Sequence, residues 1–245
     1  MTTRNIFLTA EWRNLLMVNY AIDPAILKAH VPYGTELDTW NGTVYVSAVA
    51  FNFLNTKVKG IAIPFHRNFE EINLRFYVRR KDGSEWKRGV VFLKEIVPKP
   101  AIALVARFLY NENYVALPTR HIIQSSESPN YQALRVRYEW RFKGQRNFIE
   151  ATGHGPPQPL EEGSEEQFIS EHYWGYSMQK NGGTKEYEVE HPSWNTWNGI
   201  DTKVSIDVAG LYGAEFADAL SQELTSVFIA DGSAVTVSEG ENIQE

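Results

Sequence analysis

Cysteine is absent from all 245 residues, which removes disulfides, thiolate nucleophiles and thiolate metal ligands in one step. Long apolar runs are absent too: no stretch approaches the roughly 20 residues that a membrane-spanning helix needs. Basic charge is not in excess. The formal net charge is −6, so the chain lacks the footprint expected for a nucleic-acid partner. The local run Arg79-Arg80-Lys81 beside Asp82-Gly83 reads as a solvated strand end. The opening MTTRNIFLTAEW holds no apolar segment of signal-peptide length. These absences predict a cytoplasmic protein with neither nucleic acid nor membrane as partner. Homo-oligomerisation stays open.

Recognisable motifs are missing as well. No Gly-rich phosphate loop follows a strand, and Gly153-His-Gly155 leads into prolines rather than a helix. Neither His-Glu-x-x-His nor Gly-x-Ser-x-Gly occurs. The six histidines, His30, His66, His121, His154, His172 and His191, lack ligand spacing. His121 and His172 could meet inside a barrel and hold a metal, but structural roles are the commoner use of such residues. No metal or other cofactor is expected.

Aromatic side chains are plentiful: 7 Trp, 12 Tyr and 13 Phe. That suits strands and a lined cavity better than a helix bundle. Strands are predicted at 15–20, 69–79, 89–97, 114–125, 131–142, 147–152, 172–179, 184–190, 203–208 and 234–237. A further pair at 36–40 and 43–51 flanks Asn41-Gly42, a strong hairpin signal. Asp23-Pro24 opens a short helix closed by Pro32. Ser164 with Gln167 opens another as a capping box, and Glu215–Glu223 reads as an amphipathic helix. Pro100 to about Tyr110 is apolar nearly all round and is predicted as a buried helix. No repeat or convincing linker interrupts the chain, so residues 1–245 read as a single mainly β domain, closed or nearly closed.

Three stretches carry a resemblance. They are Trp12–Leu16 continuing through Val18–Leu27 and Val31–Asp38, then Phe69–Arg75 with Tyr77–Arg80, and finally Val189-Glu-His-Pro-Ser-Trp194. Together they resemble the uncharacterised bacterial YqjF-like family, from about residue 10 to 235. That family sits in the acetoacetate-decarboxylase-like superfamily. The resemblance implies a closed, mainly antiparallel β barrel or double sheet around a cavity, with a few short helices. The decarboxylase forms a Schiff base through a lysine in a Pro-Lys-Lys run. Pro98-Lys99 matches its first two members, and Pro100 replaces the second lysine.

A Schiff-base lysine must be neutral near pH 7, roughly three units below its normal pKa. A helix starting at Pro100 would disfavour the Lys99 ammonium by only about 0.3–1 kcal/mol. Lys99 is therefore a candidate nucleophile whose plain alternative is a charged surface loop residue. On the alternating strand, Ile72, Leu74, Phe76 and Val78 share one face; Glu71, Asn73, Arg75 and Tyr77 share the other. The polar face either meets solvent or lines a cavity. The resemblance implies an inward Glu71, since the decarboxylase carries a cavity carboxylate on the corresponding strand. Inward, Glu71 and Arg75 come within ion-pair reach and could orient a ligand carboxylate or carbonyl. His121 and Trp174 complete the candidate ligand contacts.

Three functions are consistent with this reading. A small organic acid or carbonyl compound binds in the cavity without turnover, or a decarboxylase-type lyase uses Lys99. In the third, an exposed Trp-rich turn, Trp194 to Trp197, docks a protein partner.

Overall fold

The structure, a computed structural model, describes residues 4–128 and 131–243. Its plan follows from strands whose two faces are both apolar enough to bury. β1 (Ile6–Ala21), β3 (Tyr45–Val58), β4 (Phe69–Asp82) and β5 (Glu85–Val97) are long neighbours in one sheet. β11 (Trp174–Met178), β12 (Thr184–Glu190) and β14 (Ser226–Ser238) complete a ring. The sheet order runs β12-β11-β5-β4-β3-β1-β14, and a β12–β14 pairing, Val189 with Val237 and Glu190 with Thr236, closes it on itself.

Outside the ring lies a second layer. β7 (Thr119–Ser128), β8 (Tyr131–Phe142) and β9 (Gln145–His154) form an antiparallel meander joined to β14 through β13 (Asn195–Ser205). Val136, Tyr138 and Trp140 of β8 pack with Leu16, Val46, Ile72 and Leu74 in one buried core. A second core occupies the inner face and includes Met17, Val49, Phe51, Tyr77, Phe228 and Phe168. Four short strands remain: β2 (Glu36–Leu37), β6 (Tyr114–Ala116), β10 (Gln158–Pro159) and β15 (Glu241–Ile243). The α-helices are α1 (Pro24–Leu27), α2 (Pro100–Tyr110), α3 (Glu165–Ser170) and α4 (Val208–Leu211).

Two bulges decide what faces inward, because an extra residue reverses the alternation of side chains. In β1, Arg13 pairs with Asn52 but Leu16 pairs with Ala50, and Asn14 takes a left-handed φ of 55°. In β5, Lys94 pairs with Leu74 while Phe92 pairs with Arg75, leaving Leu93 as the extra residue.

Three local expectations are corrected. The Asn41-Gly42 turn forms, with φ of 50° and 82°, and Trp40 and Thr43 exchange backbone hydrogen bonds of 3.0 and 2.9 Å. It joins no hairpin, however, because β2 pairs with β4 instead of β3. The 215–223 segment forms two separate 3-10 turns, Ala214–Phe216 and Ala219–Ser221, which still bury Phe216 and Leu220. Finally, α2 has the expected range, with Pro100 in its first turn, and a left-handed Asn111 follows its last. It is not a buried helix: Leu104 is 68% exposed and Phe108 86%. Only one side of the helix meets protein, burying Ala103 and Tyr110.

Candidate functional site

The ring and α2 surround a cavity of about 240 Å³ that reaches the surface beside Ile63 and Val105, just under the roughly 300 Å³ at which typical ligand pockets begin. Its wall is mostly apolar and aromatic, with Trp12, Leu15, Phe51, Phe53 and Phe92 from the strands and Ile102, Val105 and Tyr110 from α2. Both bulges serve it. Trp12 and Leu15 of β1, and Phe92 and Glu95 of β5, share the wall only because one inserted residue in each strand reverses the phase.

The polar end is assembled from three adjacent strands. Asn73 of β4 lies opposite Glu95 of β5, which lies opposite Tyr114 of β6; directly paired residues project to the same side of a sheet. Glu71 sits two residues along β4 on that side. Its Oε2 accepts from the Tyr114 hydroxyl at 3.0 Å and its Oε1 from Asn73 Nδ2 at 3.1 Å. Glu112, in the turn between α2 and β6, directs its carboxylate inward and accepts from the Tyr187 hydroxyl of β12. Gly175 keeps room for that tyrosine, since a Cβ there would stand 2.1 Å from Tyr187 Cζ.

Three carboxyls in one apolar enclosure repel one another when ionised and lose their hydration. Burial raises Glu71 to about 7, with the Asn73 and Tyr114 hydrogen bonds opposing it. Burial raises Glu112 to about 8, and the Glu71 charge adds to this. Glu95 is pushed well up by burial and by the Glu112 and Glu71 charges. The Tyr114 phenol moves up for the same reasons.

Arg75 and His172 form the cavity's other polar group. Arg75 donates to the Ile169 carbonyl at 3.1 Å and lies over the Tyr77 ring. His172 Nε2 meets Asp38 Oδ2 at 3.2 Å. Burial lowers His172 to about 4 against the pull of Asp38, so its ring is neutral at pH 7 and Nε2 carries the donated proton. Burial opposes the Asp38 charge, but bonds from His172 and Arg88 outweigh it and hold Asp38 at about 2.

The unpaired atoms are concentrated on this wall. Among the described residues, eight buried side-chain nitrogen or oxygen atoms lack a hydrogen-bond partner. Five of them belong to cavity residues: Trp12 Nε1, Thr56 Oγ1, Asn73 Oδ1, Glu95 Oε2 and His172 Nδ1. Folded proteins satisfy nearly all such atoms, and exceptions need an explanation.

Of the residues singled out in the sequence, Glu71, Asn73, Arg75 and Trp174 line the cavity. Glu71 and Arg75 form no ion pair there, since Glu71 bonds Asn73 and Tyr114 while Arg75 turns to Ile169. Tyr77 shares the inward face but is covered by Phe168 and His172, with ring centroids at 5.4 and 4.8 Å. His121 lies outside the lining residues and pairs with Glu70 at 2.6 Å, so it does not meet His172. Lys99 is the residue before α2, half-buried, and also outside the lining. Among the described residues no lysine lines the cavity. In the Trp-rich turn, Trp194 is 4% exposed and donates to Ser233 Oγ, while Trp197 is half-buried and donates to the Gly155 carbonyl.

Sequence reasoning missed Glu95, Glu112, Tyr114 and Tyr187. A charge inside the apolar run Val90–Val97 was a signal for Glu95, but regular alternation placed it off the face of Phe92.

The fold is similar to that of known enzymes. Acetoacetate decarboxylase from Legionella pneumophila superposes with a TM-score of 0.66 at 11% identity, over 98% of this chain and 88% of that one. The enduracididine biosynthesis enzyme MppR, complexed with pyruvate, gives 0.67 at 12% identity, over 100% and 92%. An acetoacetate decarboxylase-like enzyme from Sphingomonas wittichii RW1 gives 0.63 at 13%, over 98% and 94%. At these identities the likeness establishes the fold alone. In sequence, the uncharacterized protein YqjF of Bacillus subtilis (strain 168) is 26% identical over 203 residues, 80% of this chain and 77% of that protein. The model of DUF2071, an uncharacterized conserved protein family, matches residues 9–234, and the chain belongs to that family.

Proposed function

We propose that this protein binds a small, largely apolar carbonyl compound or organic acid inside its barrel. The observation that carries the reading is the gathering of five unpaired buried polar atoms on one aromatic cavity wall. A largely apolar ligand with a polar group would satisfy those of them that it reaches. Burial pushes the Glu95 and Glu112 carboxyls up, Glu112 to about 8, which favours their neutral forms. A neutral carboxyl donates a hydrogen bond to a carbonyl oxygen, and an acid would enter in its neutral form. MppR holds pyruvate, a keto acid, within a similar fold, which agrees in chemical kind. Imine formation finds no support here, because no described lysine lines the cavity.

Thermal-shift titrations with cyclohexanone, 2-heptanone and phenylacetic acid test the reading. Stabilisation is expected in the native protein, with the ligand-induced increment lost in Glu71→Gln. No shift with any of the three compounds overturns the reading. An undiminished increment in Glu71→Gln removes that residue from the site.

A further inference from the structure

We propose that the Glu71–Glu95 end of the cavity is an acid–base site that exchanges the proton on the carbon next to a bound ketone's carbonyl. This rests on the cavity accepting a carbonyl ligand, as proposed above. It assigns a reaction that needs neither lysine nor cofactor.

The two carboxyls differ in their bonding. Both Glu71 oxygens accept hydrogen bonds, from Asn73 at 3.1 Å and Tyr114 at 3.0 Å, and such donors favour a carboxylate. Glu95 is only 1% exposed and feels the Glu112 and Glu71 charges, with a Tyr114 hydrogen bond opposing them; these surroundings favour a neutral carboxyl, and its Oε2 has no partner. Asn73 lies directly opposite Glu95 across the sheet, is itself 1% exposed, and has an unpaired Oδ1. One enclosure thus holds a hydrogen-bonded carboxylate and a free carboxyl donor, the pairing that acid–base work on a carbonyl requires.

In the step itself, the ketone oxygen accepts the Glu95 O–H while a carboxylate oxygen of Glu71 takes the proton from the adjacent carbon. The C–H electron pair becomes the carbon–carbon double bond, and the carbonyl π pair goes to oxygen, which keeps the Glu95 proton. The result is a bound enol, a neutral Glu71 and an ionised Glu95. The reverse step restores the ketone. If Glu71 has meanwhile traded its proton for a solvent deuteron, the carbon returns labelled.

The experiment follows cyclohexanone and 2-heptanone by proton NMR in D₂O near neutral pD, with saturation-transfer difference reporting binding in the same samples. With the full chain, loss of the signals next to the carbonyl is expected to run on the order of 10²-fold faster than in buffer alone. Glu95→Gln keeps a hydrogen-bond donor at the site and is expected to bind both ketones while losing that acceleration. Glu71→Gln is expected to lose it as well, whereas Glu223→Gln, an exposed change outside the cavity, leaves it intact. Binding without acceleration in the native protein overturns the acid–base inference and leaves the binding reading standing. Acceleration that survives in either cavity variant also overturns it. Absence of binding by both ketones overturns the inference together with the carbonyl reading on which it rests.

Discussion

Two buried carboxylate environments in this molecule have opposite consequences. Glu186, 2% exposed, is met by Arg4 at 3.1 Å, Arg80 at 2.7 Å and Lys87 at 3.1 Å. Burial opposes its charge, but the bonds from Arg80 and Lys87 outweigh it and bring its pKa below the usual value. In the cavity, Glu71, Glu95 and Glu112 have tyrosines, an asparagine and one another as near neighbours, and all three are pushed up. The same residue type is structural where cations surround it and chemically available where they do not.

The comparison is broken most severely at Glu186. Glu186→Gln leaves three mostly buried cations without their shared partner and should cost roughly 3 kcal/mol, read by urea denaturation at pH 7. A loss below about 1 kcal/mol would show that the cluster is no better than a surface network.

The cavity predicts a change of opposite sign. Because the native pKa of Glu71 is raised from 4.5 to about 7, the native chain retains a proton that the unfolded chain has released. Stability therefore falls as pH climbs from about 4.5 through about 7. Glu71→Gln removes part of that loss and should be more stable than the native protein at pH 8, on the order of 1–3 kcal/mol; Glu95→Gln, whose carboxyl burial also pushes up, should shift in the same direction. The gain should vanish near pH 4. A destabilisation at pH 8 equal to that at pH 4 would contradict it.

The smallest expected effect is on α2. Phe108→Ser should change stability by less than about 0.5 kcal/mol, since Phe108 is 86% exposed; a buried phenylalanine would cost several times more. Paired melting curves of the two proteins decide this.

Much of the scaffold was legible before the fold was known. The start of α2 was written in Pro100, and the cap of α3 in Ser164, whose Oγ accepts from the Gln167 amide at 3.1 Å. Alternation along β4 put Glu71, Asn73 and Arg75 on one face, and they do share the cavity. Glu95 was hidden because the extra residue Leu93 shows only in the pairing of β4 with β5. Tyr77 was over-read because α3, distant in sequence, covers it with Phe168. Glu112 and Tyr187 lie 75 residues apart, and nothing local announces that they meet.

The sequence by itself determined in part where most strands lie, and also the start of α2, the cap of α3 and which face of β4 is polar, because these depend on backbone preference and on side-chain period within a few residues. Tertiary structure alone decided that this polar face looks inward, that two bulges bring Trp12 and Glu95 beside it, and that α2 shows an apolar side to solvent. Those outcomes depend on ring closure, register and coverage between segments far apart in the chain, and no local pattern encodes them.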